Sequence, residues 1–334
     1  VDISLRYGTL SDTLYAGILR LDNSNLNILR KTNITTPGLM TILINRADDD
    51  QPWVESSTRL RGTSVDRVYV SNNDLSIYPG LTSTVDQSMD AETAAAPAGF
   101  NTERLNPRSN CGQDGPTVRT AVHPDGTVYA IYFRWTACTA SPYTSDIVVV
   151  RDDNWASGAS PYTDLLDTGD GMAGVLVTTG VSIPWSQLGT QRIGSQAAIA
   201  VDPSDSDIVY IAWADGTAAN YTIHVRRSVD RGVTWSADLR TASPATNPGL
   251  AINTLGRVGF FYQQLTGTAP NERWETHFEY TDDAFTTAPT DLTLADVPDQ
   301  NGSYIYSNPI GDYANVIALG KNFYGVFAAN NTPD

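Results

Sequence analysis

Six short runs of aromatic and β-branched residues punctuate the chain: TLYAGIL (13–19), DRVYVSNND (66–74), TVYAIYF (127–133), DIVYIAWAD (207–215), RVGFFYQ (257–263) and NFYGVFA (322–328). Consecutive apolar positions bounded by turn residues are the pattern of a strand buried on both faces. A second apolar run precedes each one: DISLRYG (2–8), QPWVESS (51–57), PTVRTAV (116–122), GSQAAIAV (194–201), PGLAIN (248–253) and YANVIALG (313–320). Turn sequences such as His123-Pro124-Asp125-Gly126 and Asp202-Pro203-Ser204-Asp205 separate the members, so each pair predicts a hairpin. DIVVVR (146–151), YTIHVRR (221–227) and ETHFEY (275–280) predict further strands.

Three or four strands recurring about every 50 residues is the period of a β-propeller blade. The pattern predicts an all-β chain forming a single six-bladed β-propeller domain over residues 1–334, with five or seven blades as alternatives. The sixth hairpin ends near Ala328, so the last blade lacks its outer strands. A strand from elsewhere completes it, or the sequence is a fragment. Residues 91–115 and 158–192, rich in Gly, Ser, Thr, Asn and Pro, are expected to be surface loops.

Composition narrows this picture. The acids are 31 Asp against 6 Glu and the bases 19 Arg against 2 Lys, which is the reverse of helix-surface usage. Asp, 26 Gly, 18 Pro and 16 Tyr suit tight turns and pleated surfaces. A net charge of −16 without a basic cluster argues against nucleic acid or an anionic membrane as partner. No apolar run approaches the ~18 residues of a membrane span, and an extracellular or periplasmic setting is expected.

Ser228-Val229-Asp230-Arg231-Gly232-Val233-Thr234-Trp235 directly follows YTIHVRR. Its Ser and Asp oxygens can accept turn N–H groups, its Gly can take a positive φ, and its Trp can pack between sheets. Weaker versions follow the other third strands, at Thr281-Asp282-Asp283-Ala284-Phe285 and Arg151-Asp152-Asp153-Asn154-Trp155, which would make Asp153, Asp230 and Asp283 equivalent. The pattern S-x-D-x-G-x-x-W resembles the Asp-box (BNR repeat) of the sialidase-like β-propellers. The resemblance implies a structural role for Ser228, Asp230, Gly232 and Trp235, and a substrate site where the innermost strands begin.

It further implies a glycan-acting protein. One form is an exo-glycosidase that releases terminal acidic sugars, in which arginines clamp a carboxylate and a tyrosine paired with a glutamate attacks the anomeric carbon. The alternatives are a non-catalytic propeller that binds glycan or protein, and a polysaccharide-acting lyase. Inner-strand entry selects Tyr313 with Asp312 as catalytic candidates, and Glu275 is a third, although its strand reads as an outer one. Arg119, Arg192 and Gln196 are candidates for anion or polar contacts, and Trp53 and Gln51 for a sugar-stacking platform and a polar contact. Each has a plainer reading as channel wall, blade packing or an internal ion pair. The Arg-Ile-Pro segment of sialidases is absent; Arg192-Ile193-Gly194 lacks the proline and comes late in the chain.

No cofactor is predicted. Asp48-Asp49-Asp50 offers clustered carboxylates to Ca²⁺, but without EF-hand spacing. The three histidines, His123, His224 and His277, do not suggest a metal site. Cys111 and Cys138 are expected to form a disulfide, because both sum with their hairpin partners to the 249 of the Pro124-Asp125 turn and should therefore face each other.

Overall fold

The computed structural model describes every residue except 1, 9–10, 21–24, 59–64, 78, 97–98, 113, 115–117, 184–195, 218–219, 300–309, 312 and 330–334. The described chain is all-β apart from one short 3-10 turn. Four antiparallel strands in sequence order build sheet I, β1 (Ile3–Gly8), β2 (Thr13–Leu19), β3 (Leu26–Thr32) and β4 (Thr41–Arg46). Sheet II repeats the order with β5 (Asp49–Thr58), β6 (Asp66–Asp74), β7 (Ser83–Ser88) and β8 (Asn101–Arg104). Sheet III holds β9 (Arg119–Val122), β10 (Val128–Ala137), β11 (Tyr143–Asp152) and β12 (Val175–Ile183). Sheet IV follows with β13 (Ala197–Asp202), β14 (Asp205–Thr217), β15 (Asn220–Ser228) and β16 (Arg240–Ala242). Sheet V contains β17 (Ala245–Ile252), β18 (Val258–Thr266), β19 (Arg273–Thr281) and β20 (Thr290–Pro298), and sheet VI only β21 (Asn315–Leu319) and β22 (Asn322–Val326).

All six predicted hairpins are the first two strands of a sheet. The expected loops 91–115 and 158–192 need correction, since each contains an outermost strand, β8 and β12. Outermost strands face solvent and have no neighbour on one edge, so an apolar code is not required of them; β20 is exposed at most of its positions. Sheet VI stops at two strands among the described residues. Accordingly β22 is mostly exposed, while β6 and β18, which carry the same kind of sequence, are mostly buried.

The chain falls into two compact units, 1–135 with 147–176 and 136–146 with 177–334. In the first, β5 packs beside β1 and β9 beside β5. Tyr15, Leu26, Ile28, Val54, Val68 and Val70 fill the layer between sheets I and II, and Tyr69, Val85, Val128, Tyr132, Val148 and Tyr162 the layer beyond. Gly17 in β2 permits this approach, because a Cβ there would lie 2.8 Å from the Pro52 ring. In the second unit, β17 packs beside β13 and β21 beside β17, around Tyr210, Ile223, Val225, Phe260 and Tyr262 and around Phe261 and Val316.

Cys111 and Cys138 are disulfide-bonded. Their pairing does not follow from the β9–β10 register, which is offset by one from the expected sum of 249. Val128 faces Val122 and Ile131 faces Arg119, a sum of 250, and β9 begins only at Arg119. Cys111 therefore lies in the segment before β9, where its N–H donates to the Trp135 carbonyl (3.0 Å) and brings it beside the end of β10. Among the described residues no helix is long and apolar enough to cross a membrane.

Candidate functional site

In the first unit β5 opens on a bulge. Its register with β6 shifts between Asp50 and Trp53, and Gln51 adopts φ +63° directly before Pro52. That left-handed conformation is disfavoured for an L residue and more so before proline. The Asp50 carboxylate accepts the Gln51 N–H (2.9 Å) and helps to hold it. Gln51 is 1% exposed; its Nε2 lies 3.5 Å from an Asp2 carboxylate oxygen, and its Oε1 meets no partner among the described residues.

Beyond the bulge, half-buried Trp53 stands opposite Ser71, whose hydroxyl is hydrogen-bonded to that of Thr120. The neighbouring Arg119 lays its guanidinium over the Trp53 ring, 3.9 Å from the centroid. Of the candidates at inner-strand entries, Trp53 and Arg119 thus meet across β5 and β9, and Gln51 lies two residues before Trp53 on β5. Arg119 is only 4% exposed, so this contact is largely shielded from solvent.

Beside this entry lies an acidic centre that the pattern did not reveal. Arg46 Nε reaches Asp49 Oδ2 (3.0 Å) and Asp86 Oδ2 (3.2 Å), while its NH2 and that of Arg104 reach Asp74 Oδ2 at 3.2 and 3.1 Å. Asn72 Nδ2 and Thr102 Oγ1 donate to Asp86 at 2.8 and 2.5 Å. Burial pushes the Asp49 carboxyl up to about 7; Arg46 offsets this in part, and Asp86 and Asp74 add repulsion. Asp86 is raised chiefly by burial as well. One signal was available in the sequence, the acids at both ends of a predicted hairpin, Asp49 and Asp74. The Asp48-Asp49-Asp50 run is divided, with Asp49 turned into this centre and Asp50 capping Gln51, and no group of metal-ligating side chains occurs among the described residues.

The second unit repeats the bulge at β17. The register shifts between Thr246 and Gly249, and Asn247 takes φ +55° directly before Pro248. Asn247 Nδ2 donates to Gln263 Oε1 (2.7 Å) and to the Gly311 carbonyl (3.0 Å). Gln196, just before β13, accepts from Thr246 Oγ1 (3.0 Å). Tyr313 is half-buried two residues ahead of β21. Asp312 and Arg192 lie outside the described residues.

Glu275 is on β19, the third strand of its sheet, where Thr266 Oγ1 donates to its Oε1 (3.1 Å) and His277 Nε2 stands 3.3 Å from its Oε2. A second glutamate of this strand, Glu279, is bonded to a tyrosine. The Tyr262 hydroxyl donates to Glu279 Oε1 (2.8 Å), which Arg240 also grips. Tyr262 is a core residue whose burial raises its pKa, so the phenol keeps its proton. Both strand histidines stack on an aromatic ring and bond a carboxylate, His224 with Trp213 and Asp238 and His277 with Tyr262 and Asp291.

The turn after β15 is built by its own side chains. Ser228 Oγ accepts the Gly232 N–H (2.8 Å), and Asp230 accepts the N–H and hydroxyl of Thr234 (2.9 and 2.6 Å). Arg231 and Gly232 both take positive φ. Thr281 and Asp283 reproduce these bonds toward Phe285 and Thr287, with Ala284 and Phe285 at positive φ. After β11 the alignment moves by one residue. Asp152 takes the place of Ser228 by accepting the N–H groups of Asn154 and Ala156 (both 2.7 Å), because a carboxylate can replace the hydroxyl as acceptor, and this puts Asn154, not Asp153, at the position of Asp230. Asp153 pairs with Arg151 instead. Trp235 is half-buried, and its Nε1 donates to the Gly232 carbonyl (3.1 Å) within the turn.

No family model matches the chain, and no curated protein matches it. Among solved structures it is similar to the Hadza microbial sialidase Hz136, at 13% identity and TM-score 0.49, over 94% of this chain and 60% of that one. It is also similar to the α-L-arabinofuranosidase Arb93A from Fusarium graminearum, at 11% identity and TM-score 0.47, over 85% and 78% of the two chains. A third similarity is to the polysaccharide lyase Uly1, at 8% identity and TM-score 0.47, over 98% and 79%. The chain thus spans 60% of the length of the sialidase it matches.

Proposed function

We propose that this chain is an Asp-box β-propeller of the sialidase-like kind that acts on or binds glycans outside the cytoplasm, with the site at the entries of its innermost strands. The observation that carries the reading is the contact of Trp53 with Arg119 across β5 and β9, with Gln51 two residues before Trp53 on the same strand. An amide, an indole and a guanidinium are the groups that recognise sugar hydroxyls, sugar ring faces and a carboxylate. The matching bonds around Ser228 and Thr281 support the Asp-box assignment and give those residues a structural role.

In the hydrolytic form, Tyr313 is the nucleophile beside Asp312, and arginines favour its phenolate. Two observations favour the binding form instead. Arg119 is engaged over the Trp53 ring, and Glu275 is engaged by Thr266 and His277. A fluorogenic sialoside assay with wild type and Tyr313→Phe, run beside a glycan array, tests both. Turnover lost in Tyr313→Phe selects the hydrolase. Glycan retention without turnover, weakened at least tenfold by Trp53→Ala, selects the binding module. The absence of both turnover and retention would overturn the proposal.

A further inference from the structure

In sheets III, IV and V the connection between the third and fourth strands carries the turns built on Asp152, Ser228 and Thr281. In sheet I the same connection, between β3 and β4, reads Asn33-Ile34-Thr35-Thr36-Pro37-Gly38, and all six residues are exposed. Here the backbone closes the turn. The Thr36 N–H donates to the Asn33 carbonyl (3.0 Å), and Asn33 takes φ +50°, a conformation that Asn tolerates. The Thr35 hydroxyl donates to Asn33 Oδ1 (2.7 Å), which holds the two side chains together at the surface. Asn-x-Thr with x other than proline is the acceptor sequence for an N-linked oligosaccharide.

We propose that Asn33 is a glycosylation site, its Nδ2 taking an oligosaccharide from a polyprenol-pyrophosphate donor. In the transfer Nδ2 forms a bond to the anomeric carbon and the bond from that carbon to the pyrophosphate oxygen breaks. The lipid pyrophosphate leaves with the electron pair, and one amide proton passes to a base of the transferase. The position accommodates the product. Four antiparallel strands in sequence order bring β3 out at the end of sheet I where β1 finishes, opposite the entry of β1. An oligosaccharide on Asn33 therefore projects into solvent and leaves that entry clear. Asn220-Tyr221-Thr222 has the same pattern but is built into β15, where Asn220 pairs with Thr217, Tyr221 is 3% exposed and Thr222 Oγ1 donates to Ser243 Oγ (3.0 Å). Asn301-Gly302-Ser303 and Asn330-Asn331-Thr332 lie outside the described residues. The Cys111–Cys138 bond fits an oxidising compartment of the kind in which the transfer takes place. The inference goes beyond the glycan-site reading and shares with it only the setting outside the cytoplasm.

The test secretes the full chain from cultured eukaryotic cells, which supply the donor and the transferase, and maps its peptides before and after peptide-N-glycosidase F. Most wild-type molecules should carry the oligosaccharide on Asn33, and the glycosidase should convert that residue to Asp. Asn33→Gln and Thr35→Ala should lose it, whereas Thr35→Ser should keep it. Where secretion fails, translation with microsomes reads the same transfer as a gel shift, one step of which should disappear in Asn33→Gln. A bare Asn33 in the secreted protein, or a microsomal product that loses no step in Asn33→Gln, would overturn the assignment and leave Asn33 and Thr35 serving the turn alone. None of these outcomes depends on whether the chain binds or cleaves a glycan, so failure here leaves that reading standing.

Discussion

Asp49 offers the sharpest test of the energetics. Its carboxyl is 1% exposed, shares Arg46 with Asp74 and Asp86, and is pushed up to about 7 from 3.8. The folded state therefore holds a proton that the unfolded chain releases near pH 4. Stability is greatest below the unfolded value and declines as pH rises toward the folded one, by about 4 kcal/mol in all at 1.36 kcal/mol per pH unit. Asp86, also raised, broadens the decline because the carboxyls titrate together. Asp49→Asn keeps an oxygen for Arg46 and removes the titration. Urea denaturation followed by tryptophan fluorescence at pH 5 and pH 8 should show the variant gaining about 2 to 3 kcal/mol relative to wild type between the two pH values. Parallel pH profiles for the two proteins would refute the reasoning.

Asp230→Ala removes the acceptor of two Thr234 donors and should cost about 1 to 2 kcal/mol, seen as a lower Tm with activity or binding per folded molecule unchanged. Trp235→Ala should cost only about 2 kcal/mol, less than a buried aromatic, because the ring is half-exposed. Burial opposes protonation of His224, but its hydrogen bonds to Asp215 and Asp238 prevail and raise its pKa above 6.5. The stability it contributes is complete below pH ~6.5 and is lost as pH rises through the raised value. Asp238→Asn should therefore lower the His224 pKa in an NMR titration and flatten that dependence. Cys138→Ser opens the bond to Cys111 and should cost about 2 to 4 kcal/mol in chemical denaturation, whereas wild type should show no thiol reactive to a disulfide reagent under denaturing, non-reducing conditions.

The local pattern determined the six hairpins, because a strand buried on both faces must be apolar at consecutive positions and a tight turn must carry Asp, Gly or Pro; TVYAIYF and DIVYIAWAD could be read for that reason. It also determined the Ser228 turn, whose bonds span only four residues. Tertiary structure decided the outer strands β8 and β12, where edge position and solvent remove the apolar signal. It put Asp152 at the Ser228 position and so Asn154, not Asp153, at that of Asp230, a one-residue alignment that only backbone geometry can set. It seated Arg119 on Trp53 and assembled Asp49, Asp74 and Asp86 around Arg46, contacts between residues distant in sequence. It also strained Gln51 and Asn247 before their prolines, because that conformation is imposed by neighbouring strands and not by the residues themselves.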